Sequence, residues 1–368
     1  MYCQEFTVKS VNKSRYHWIT GAFVFRQTIN RKVDLSRFTD TTRHLTNSGI
    51  PTQGIAFYHQ STLDLLQGLS CSVGLRYDYE HARCDFSKVQ QLLNGNGETK
   101  SLEQFNRSLH FGQFTPRFSM QYLSSHNQLF YASVSKGYKA GGFNVSFLNN
   151  DDYLYSPEYN WNYEIGTKLS FLNNRLSADL SLFYIDWRNQ QITNTIPTVG
   201  NVIRNAGRSR NKGIEASFQA RPTKSWMMYM NYGYTDARFV HYQKEERGIL
   251  KDYGGNYLPM VPRHTFSLTT GYSFYDICSW IDRLTLNAGV SVTGPIYWYE
   301  DNQAKQSPYA LVNLRISINK GCFTGYEVVA QVVGICEILA PDFPCKASFV
   351  YAQKGKPITL GTSVSISL

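Results

Sequence analysis

Six charged residues, Arg76, Arg117, Glu164, Lys168, Asp179 and Glu215, stand in segments where apolar and polar residues alternate, and each falls on the polar parity. Carboxylates and cations converging on one face could work as a general acid/base pair. They could equally hydrogen-bond a second polar surface or solvate a wet channel. Nothing nearby completes an enzyme. No serine occupies a GxSxG elbow, the eight histidines are scattered without HExxH spacing, and the seven cysteines show no CxxC pair. Gly137, Gly141 and Gly142 have the composition of a phosphate cradle, but no helical pattern follows them, so a bent strand top is the better reading. No catalytic residue, no metal ligand and no cofactor is assigned. Cys336 and Cys345 are close enough in sequence for a local disulfide, and the sequence leaves that pairing open.

The positioning elements are strands. "DRLTLNAGVSVTG" sets Leu284, Leu286, Ala288, Val290 and Val292 against Thr285, Asn287, Gly289, Ser291 and Thr293. "HTFSLTTGYSF", "YALVNLRISIN", "RLSADLSLFY" and the terminal "TLGTSVSISL" alternate in the same way. A period of two is strand geometry. In a soluble sandwich the polar face would be rich in Lys, Glu and Arg; here it is mostly Ser, Thr, Asn and Gly. Charged residues are 17% of the chain and aromatics 15%. Mean hydropathy is −0.35, and no apolar run is long enough for a membrane helix. A barrel escapes that test, because only alternate residues of its strands meet lipid. The net charge of +10 is dispersed, without a recognition motif for nucleic acid.

The pattern predicts strands near 2–9, 16–28, 52–60, 68–80, 111–122, 127–137, 160–172, 175–187, 202–221, 225–237, 263–275, 283–294, 309–319, 325–335 and 357–368. Short turns alternate with long links at about 29–51, 81–110, 138–159, 188–201, 238–262, 295–308 and 336–356. That rhythm belongs to an all-β transmembrane antiparallel β-barrel of the outer-membrane kind. Such barrels nearly always have an even strand count, so fifteen strands make residues 1–368 one N-terminally incomplete barrel domain.

"LFYASVSKGYKAGGFN" (129–144), "SPEYNWNYEIGTKLSFLNNRLSADLSLFYIDWRNQQI" (156–192), "NAGRSRNKGIEASFQ" (205–219) and "LPMVPRHTFSLTTGYSF" (258–274) resemble the barrel of TonB-dependent outer-membrane receptors of the ferric-siderophore type. The resemblance implies about the last 15 strands of a 22-stranded barrel, with the plug domain absent. It implies a bacterial outer-membrane location and a ferric siderophore or similar chelate as cargo. The TonB complex would be reached only through the missing plug. Another cargo on the same barrel, a cobalamin or a glycan, is the alternative, as is a passive porin or adhesin. The family usually ends on an aromatic residue, whereas this chain ends at Leu368.

Three sets of site candidates follow. Arg76, Arg117, Glu164, Lys168, Asp179 and Glu215 face the lumen as plug contacts. The loop aromatics Tyr153, Tyr155, Tyr159, Trp298 and Tyr299 either meet a ligand or belong to the interfacial girdle. Arg204, Arg208, Arg210 and Lys212 share the outward parity of Ile214. On a strand without a bulge they meet the phosphates of outer-membrane lipid and lipopolysaccharide; a bulge would instead turn them toward the mouth, where they would attract an anionic chelate.

Overall fold

A period of two should translate directly into paired strands, and it does. The computed structural model describes residues 1–11, 14–36, 42–93, 98–147, 150–196, 200–205, 207–246, 249–279, 281–320, 323–333 and 359–366. Its long strands are β1 (Tyr2–Lys9), β2 (Tyr16–Ser36), β3 (Thr42–Leu66), β4 (Leu69–Leu92), β5 (Thr99–Leu123), β6 (Leu129–Lys139), β7 (Glu158–Phe171), β8 (Leu176–Arg188), β9 (Arg208–Ala220), β10 (Trp226–His241), β11 (His264–Cys278), β12 (Ile281–Thr293), β13 (Tyr309–Lys320), β14 (Phe323–Val333) and β15 (Thr359–Ile366). These fifteen strands follow one another in sequence order in a single sheet. Four short hairpins stand apart from it.

Two compact units divide the contacts. In the unit made of Gln121–Ala132, Tyr163–Ile185 and Ser209–Leu368, registry keeps the apolar parity on one face across strand after strand. Met230 lies opposite Leu268, Leu268 opposite Val290, Val290 opposite Val312, and Val312 opposite Val332. The neighbouring row runs Tyr232, Phe266, Val292, Ala310. The opposite face carries Asn231, Ser267 and Ser291 in one row and Thr269, Gly289 and Asn313 in another. The apolar face is open as well as the polar one: Met230, Tyr232 and Val312 are exposed, as are Leu314 at 47% and Leu180 at 46%. A soluble protein rarely leaves so large an apolar area open, whereas hydrocarbon is the solvent this face requires.

The unit made of Met1–Met120, Ser133–Asn162 and Asp186–Arg208 repeats the rule. One row reads Phe6, Ala22, Phe57, Tyr77; the next, on the other face, reads Thr7, Gly21, Tyr58, Arg76. Glycines make room for rings from adjacent strands. A Cβ on Gly21 would stand 2.4 Å from the Tyr58 ring, and one on Gly54 would stand 2.4 Å from that of Phe25. In the other unit, Gly166 admits Tyr131 and Gly213 admits Phe183 in the same manner.

The structure corrects three expectations. The links at 29–51 and 81–110 are mostly strand: Ser36 already pairs with Arg43, and β4 runs on to Leu92. Past the apolar rows the alternation fades while backbone pairing continues, since every N–H and C=O still needs a partner. The strand expected over 202–221 is two elements, Gly200–Asn205 and β9, and the first pairs back on Gln191–Ile196. The parity count from Ile214 to Arg204 is therefore interrupted. Cys336, Cys345 and Leu368 lie outside the described residues.

The prolonged β4 and β5 hold a small apolar core: Ala82, Cys84, Phe86 and Phe143, with Phe105 and Phe147 against it. Burial, helped by Asp85, pushes the Cys84 thiol up to about 11, so it stays protonated and shielded at neutral pH. Cys278, at the end of β11 beside a short turn, is exposed. In the folded full-length protein at pH 7.5, maleimide should label Cys278 at least tenfold faster than Cys84; equal rates would mean that this core does not form.

Candidate ligand-binding site

In the first unit the loop cluster is held together by side-chain amides acting as backbone surrogates. Asn144 accepts from the Ile203 N–H at 2.8 Å and donates to the Ile203 and Asp152 carbonyls, both at 2.7 Å. Asn205 accepts from the Ser156 N–H and donates to the carbonyls of Ser156 and Asn189. The hairpin 191–205 is thereby tied to the segment 142–156, where a short 3-10 turn spans Asn150–Tyr153. Arg204 adds a two-pronged ion pair to Asp152, at 2.8 and 2.7 Å. Gln191 donates from its backbone N–H to Glu158 at 2.5 Å and from its side chain to the Ala140 carbonyl.

Tyr153 is buried in this cluster, its ring 5.2 Å from Phe105 and 5.8 Å from Phe147, with the Arg107 guanidinium 4.8 Å from its centroid. Tyr155 packs over Gly142, and burial raises its pKa. Tyr159 lies 5.6 Å from Tyr138, with the Lys136 ammonium 5.1 Å away. These three aromatics build the loops' own scaffold. Phe86, Phe105, Phe147 and Arg107 join them; nothing in their sequence spacing marks them out.

In the second unit, Trp298 and Tyr299 lie near a cationic aromatic stack. Tyr257 stacks on Tyr297 at 5.4 Å and 7°. The guanidiniums of Arg238 and Arg263 lie 3.9 and 4.9 Å from the Tyr257 centroid. The Lys305 ammonium is 5.8 Å from Tyr297. Cation–π contact fixes the guanidinium planes. Arg238 also bonds Asp236, the Gly255 carbonyl and the Tyr257 hydroxyl. Arg263 is hydrogen-bonded to Tyr234, which raises its pKa, and its Nε is buried without an acceptor among the described residues. Tyr299 is 57% exposed, whereas Trp298 is half-buried with its backbone N–H bonded to Ala304. Sequence reasoning missed Arg238, Tyr257, Arg263 and Tyr297, because the end of β10 and two separate connections supply them.

The remaining candidates divide between the faces. Arg76 is bonded to Asp78 through Nε and Nη2, Tyr131 donates to Glu164 at 2.6 Å, and Lys168 is 3.9 Å from Asp179. Glu215 borders a cleft of about 420 Å³ with Ser217, Asn231 and Ser267, and Arg117 is exposed. Of the basic run, Arg208 bonds the buried Asp186 at 2.6 Å, while Arg210 and Lys212 are exposed.

The pesticin receptor of Yersinia pestis is 23% identical over 295 residues, covering 79% of this chain and 40% of that protein. A probable TonB-dependent siderophore receptor, PiuA, of Acinetobacter baumannii is 30% identical over 166 residues, or 44% of this chain and 21% of its own length. The chain thus spans less than half the length of these relatives. Among solved structures, the ferric yersiniabactin uptake receptor FyuA from Yersinia pestis superposes with a TM-score of 0.74 at 18% identity, covering 89% of this chain and 48% of that one. The ferric citrate transporter FecA in its unliganded form gives 0.61 at 15% identity, over 97% of this chain and 60% of that one. Both show the fold. Residues 6–332 match the family described as TonB dependent receptor-like, beta-barrel, and the chain belongs to that family.

Proposed function

We propose that residues 1–368 form barrel wall and external loops of a receptor that takes up a ferric siderophore or similar anionic chelate through the bacterial outer membrane. The observation that carries this reading is the stack of Arg238 and Arg263 on Tyr257, which itself stacks on Tyr297. Fixed cations beside flat rings suit an anionic, ring-bearing chelate, because the charge attracts and the rings supply contact area. The polar wall, with Arg76, Glu164, Lys168 and Asp179, suits the surface of a plug that a TonB complex could pull. No chemical step is assigned to any residue.

Uptake of radiolabelled iron by the full-length protein, in cells lacking other siderophore receptors, tests the proposal. A panel of ferric siderophores, cobalamin and oligosaccharides should give energised uptake of a ferric siderophore alone. Hydrogen bonds to charged groups contribute about 1.5–3 kcal/mol, so Arg263→Ala with Tyr257→Ala should weaken chelate binding by about tenfold or more. Arg208→Ala with Arg210→Ala should leave binding largely intact. Uptake of cobalamin or a glycan instead, or a tenfold loss in the Arg208/Arg210 pair only, would overturn the assignment.

A further inference from the structure

Within the apolar rows themselves, the lipid-facing side of β2 to β4 breaks its pattern at mid-depth. Leu63 lies between Tyr16 and Cys71, Phe57 between Ala22 and Tyr77, and Ile55 between Val24 and Tyr79. Between the first of these rows and the other two, the same face carries Ser61, opposite Trp18 and Val73, and His59, opposite Thr20 and Leu75. Leu63, Phe57, Ile55, Val73 and Leu75 are exposed, and His59 is exposed among them. The five rows are about 7 Å apart along tilted strands and so fill an apolar band about 25 Å tall, with His59 in the middle row. Ionisable side chains rarely face lipid at that depth, and those that do mark a functional contact.

Some of the polar groups in this strip are paired locally. His59 Nε2 is 2.9 Å from Ser61 Oγ, which also lies 2.9 Å from the Tyr16 hydroxyl. Thr20 donates to the Tyr58 carbonyl at 3.0 Å. With its Nε2–H donating to Ser61, the imidazole keeps one lone pair, on Nδ1. The Trp18 ring lies 6.4 Å from that of His59 with the planes 25° apart, so the indole N–H runs alongside the imidazole instead of pointing at Nδ1. Neither His59 Nδ1 nor Trp18 Nε1 has a hydrogen-bond partner among the described residues. The strip therefore carries one unpaired donor and one unpaired acceptor, and acyl chains can satisfy neither.

An occupant of this face must reach the middle of the bilayer and bring one acceptor and one donor. It must also be uncharged there, since no Asp, Glu, Lys or Arg stands in these five rows. A second copy of the same strip has this composition. We propose that two copies of the receptor meet here about a two-fold axis, each Trp18 donating its indole N–H to His59 Nδ1 of the other. A two-fold contact sets the same patch on both sides, so the two bonds form together and leave no hydrogen-bonding group of the strip unpaired. Val8, opposite Thr20, and Val73 and Leu75 supply its apolar margins. Among acyl chains, such hydrogen bonds and close packing distinguish a protein neighbour from lipid, because apolar area alone does not. The proposal rests on the lipid-facing assignment and not on the identity of the transported cargo.

The test uses the full-length protein, labelled at its N-terminus with a donor or an acceptor dye and reconstituted in dimyristoylphosphatidylcholine vesicles over a range of protein-to-lipid ratios. Energy transfer should report a dimer, and stepwise photobleaching should give two steps. Trp18→Phe and His59→Leu should each weaken association at least tenfold. The double variant should lose little more than either alone, because each change removes both bonds. An equimolar mixture of the two single variants should recover part of the affinity, since one Trp18–His59 bond can form between unlike copies. Leu286→Ala, on the lipid face of β12, should leave association unchanged. His59→Leu places an apolar side chain against lipid, so urea titration at high dilution should show no loss of monomer stability. A wild type that stays monomeric at every ratio, additive losses in the double variant, or a mixture that recovers nothing would overturn the proposal. Association that appears only after outer-membrane extract is added would overturn it too, since the face would then belong to a different membrane protein.

Discussion

Leu180→Arg should destabilise the barrel by about 2–4 kcal/mol when the substituted residue sits at the bilayer midplane, and Ser181→Arg should cost far less. The two positions are consecutive on β8, so helix or strand propensity, depth and distance from the turns are nearly matched. Facing is the difference. Leu180 is 46% exposed on the apolar parity, with Leu182 and Tyr184 following it on the same side. Ser181 belongs to the parity of Asp179, which pairs with Lys168 across the wall. A guanidinium on the first parity must shed its water or drag it into hydrocarbon; on the second it remains among polar groups. Urea titration of the full-length barrel in lipid vesicles, followed by tryptophan emission, measures the difference. Equal losses, or a larger loss at Ser181, would reverse the assigned facing.

Residues 1–368 expressed alone behind a heterologous signal peptide should give aggregated or degraded protein and no energised uptake. The strand order ends at β1 on one side and β15 on the other, and β1 is exposed along its whole length. Each unpaired backbone group in hydrocarbon costs several kcal/mol, so an open edge of eight residues is prohibitive there. Closing the fifteen antiparallel strands of the described residues on themselves would force the two end strands to pair in parallel. That geometry is known in an odd-stranded barrel but is rare among barrels of this kind. Complementation of a receptor-deficient strain reads the outcome. Ligand-specific, energy-dependent uptake by these residues alone would show that they suffice.

The spanning parts of the strands were legible because the bilayer imposes one rule on every one of them. Val290 and Val312 must face lipid, so Ser291 and Asn313 cannot, and the period appears in the sequence wherever the chain crosses. The extensions of β2 to β5 were not legible, since residues such as Asn30, Asn47 and Ser87 meet water on a polar face and carry no alternation. Backbone pairing continued there without leaving a side-chain signature. The site was only partly legible. Tyr153, Tyr155 and Tyr159 stood out as loop aromatics, yet their rings are spent on Phe105, Gly142 and Tyr138. Arg238, Arg263 and Tyr257 come together through chain reversals that no local pattern encodes. The clamps at Asn144 and Asn205 were equally invisible, because an asparagine in a loop is the commonest of turn residues.

Alternation has one blind spot, which the glycines fill. Sliding a strand by one residue moves every apolar side chain to the wrong face and is strongly forbidden. Sliding it by two restores the faces and leaves the lipid nothing to object to, so a barrel of Val, Leu, Ser and Thr could misassemble by two steps at little cost. The rings of Tyr58, Phe25, Tyr131 and Phe183 each occupy a space that only a glycine leaves open, at Gly21, Gly54, Gly166 and Gly213. After a two-residue slip each ring would meet a side chain where it now finds a hole. The glycine–aromatic fits therefore act as a vernier scale on the sheet: they check alignment at the spacing that the hydrophobic pattern cannot see.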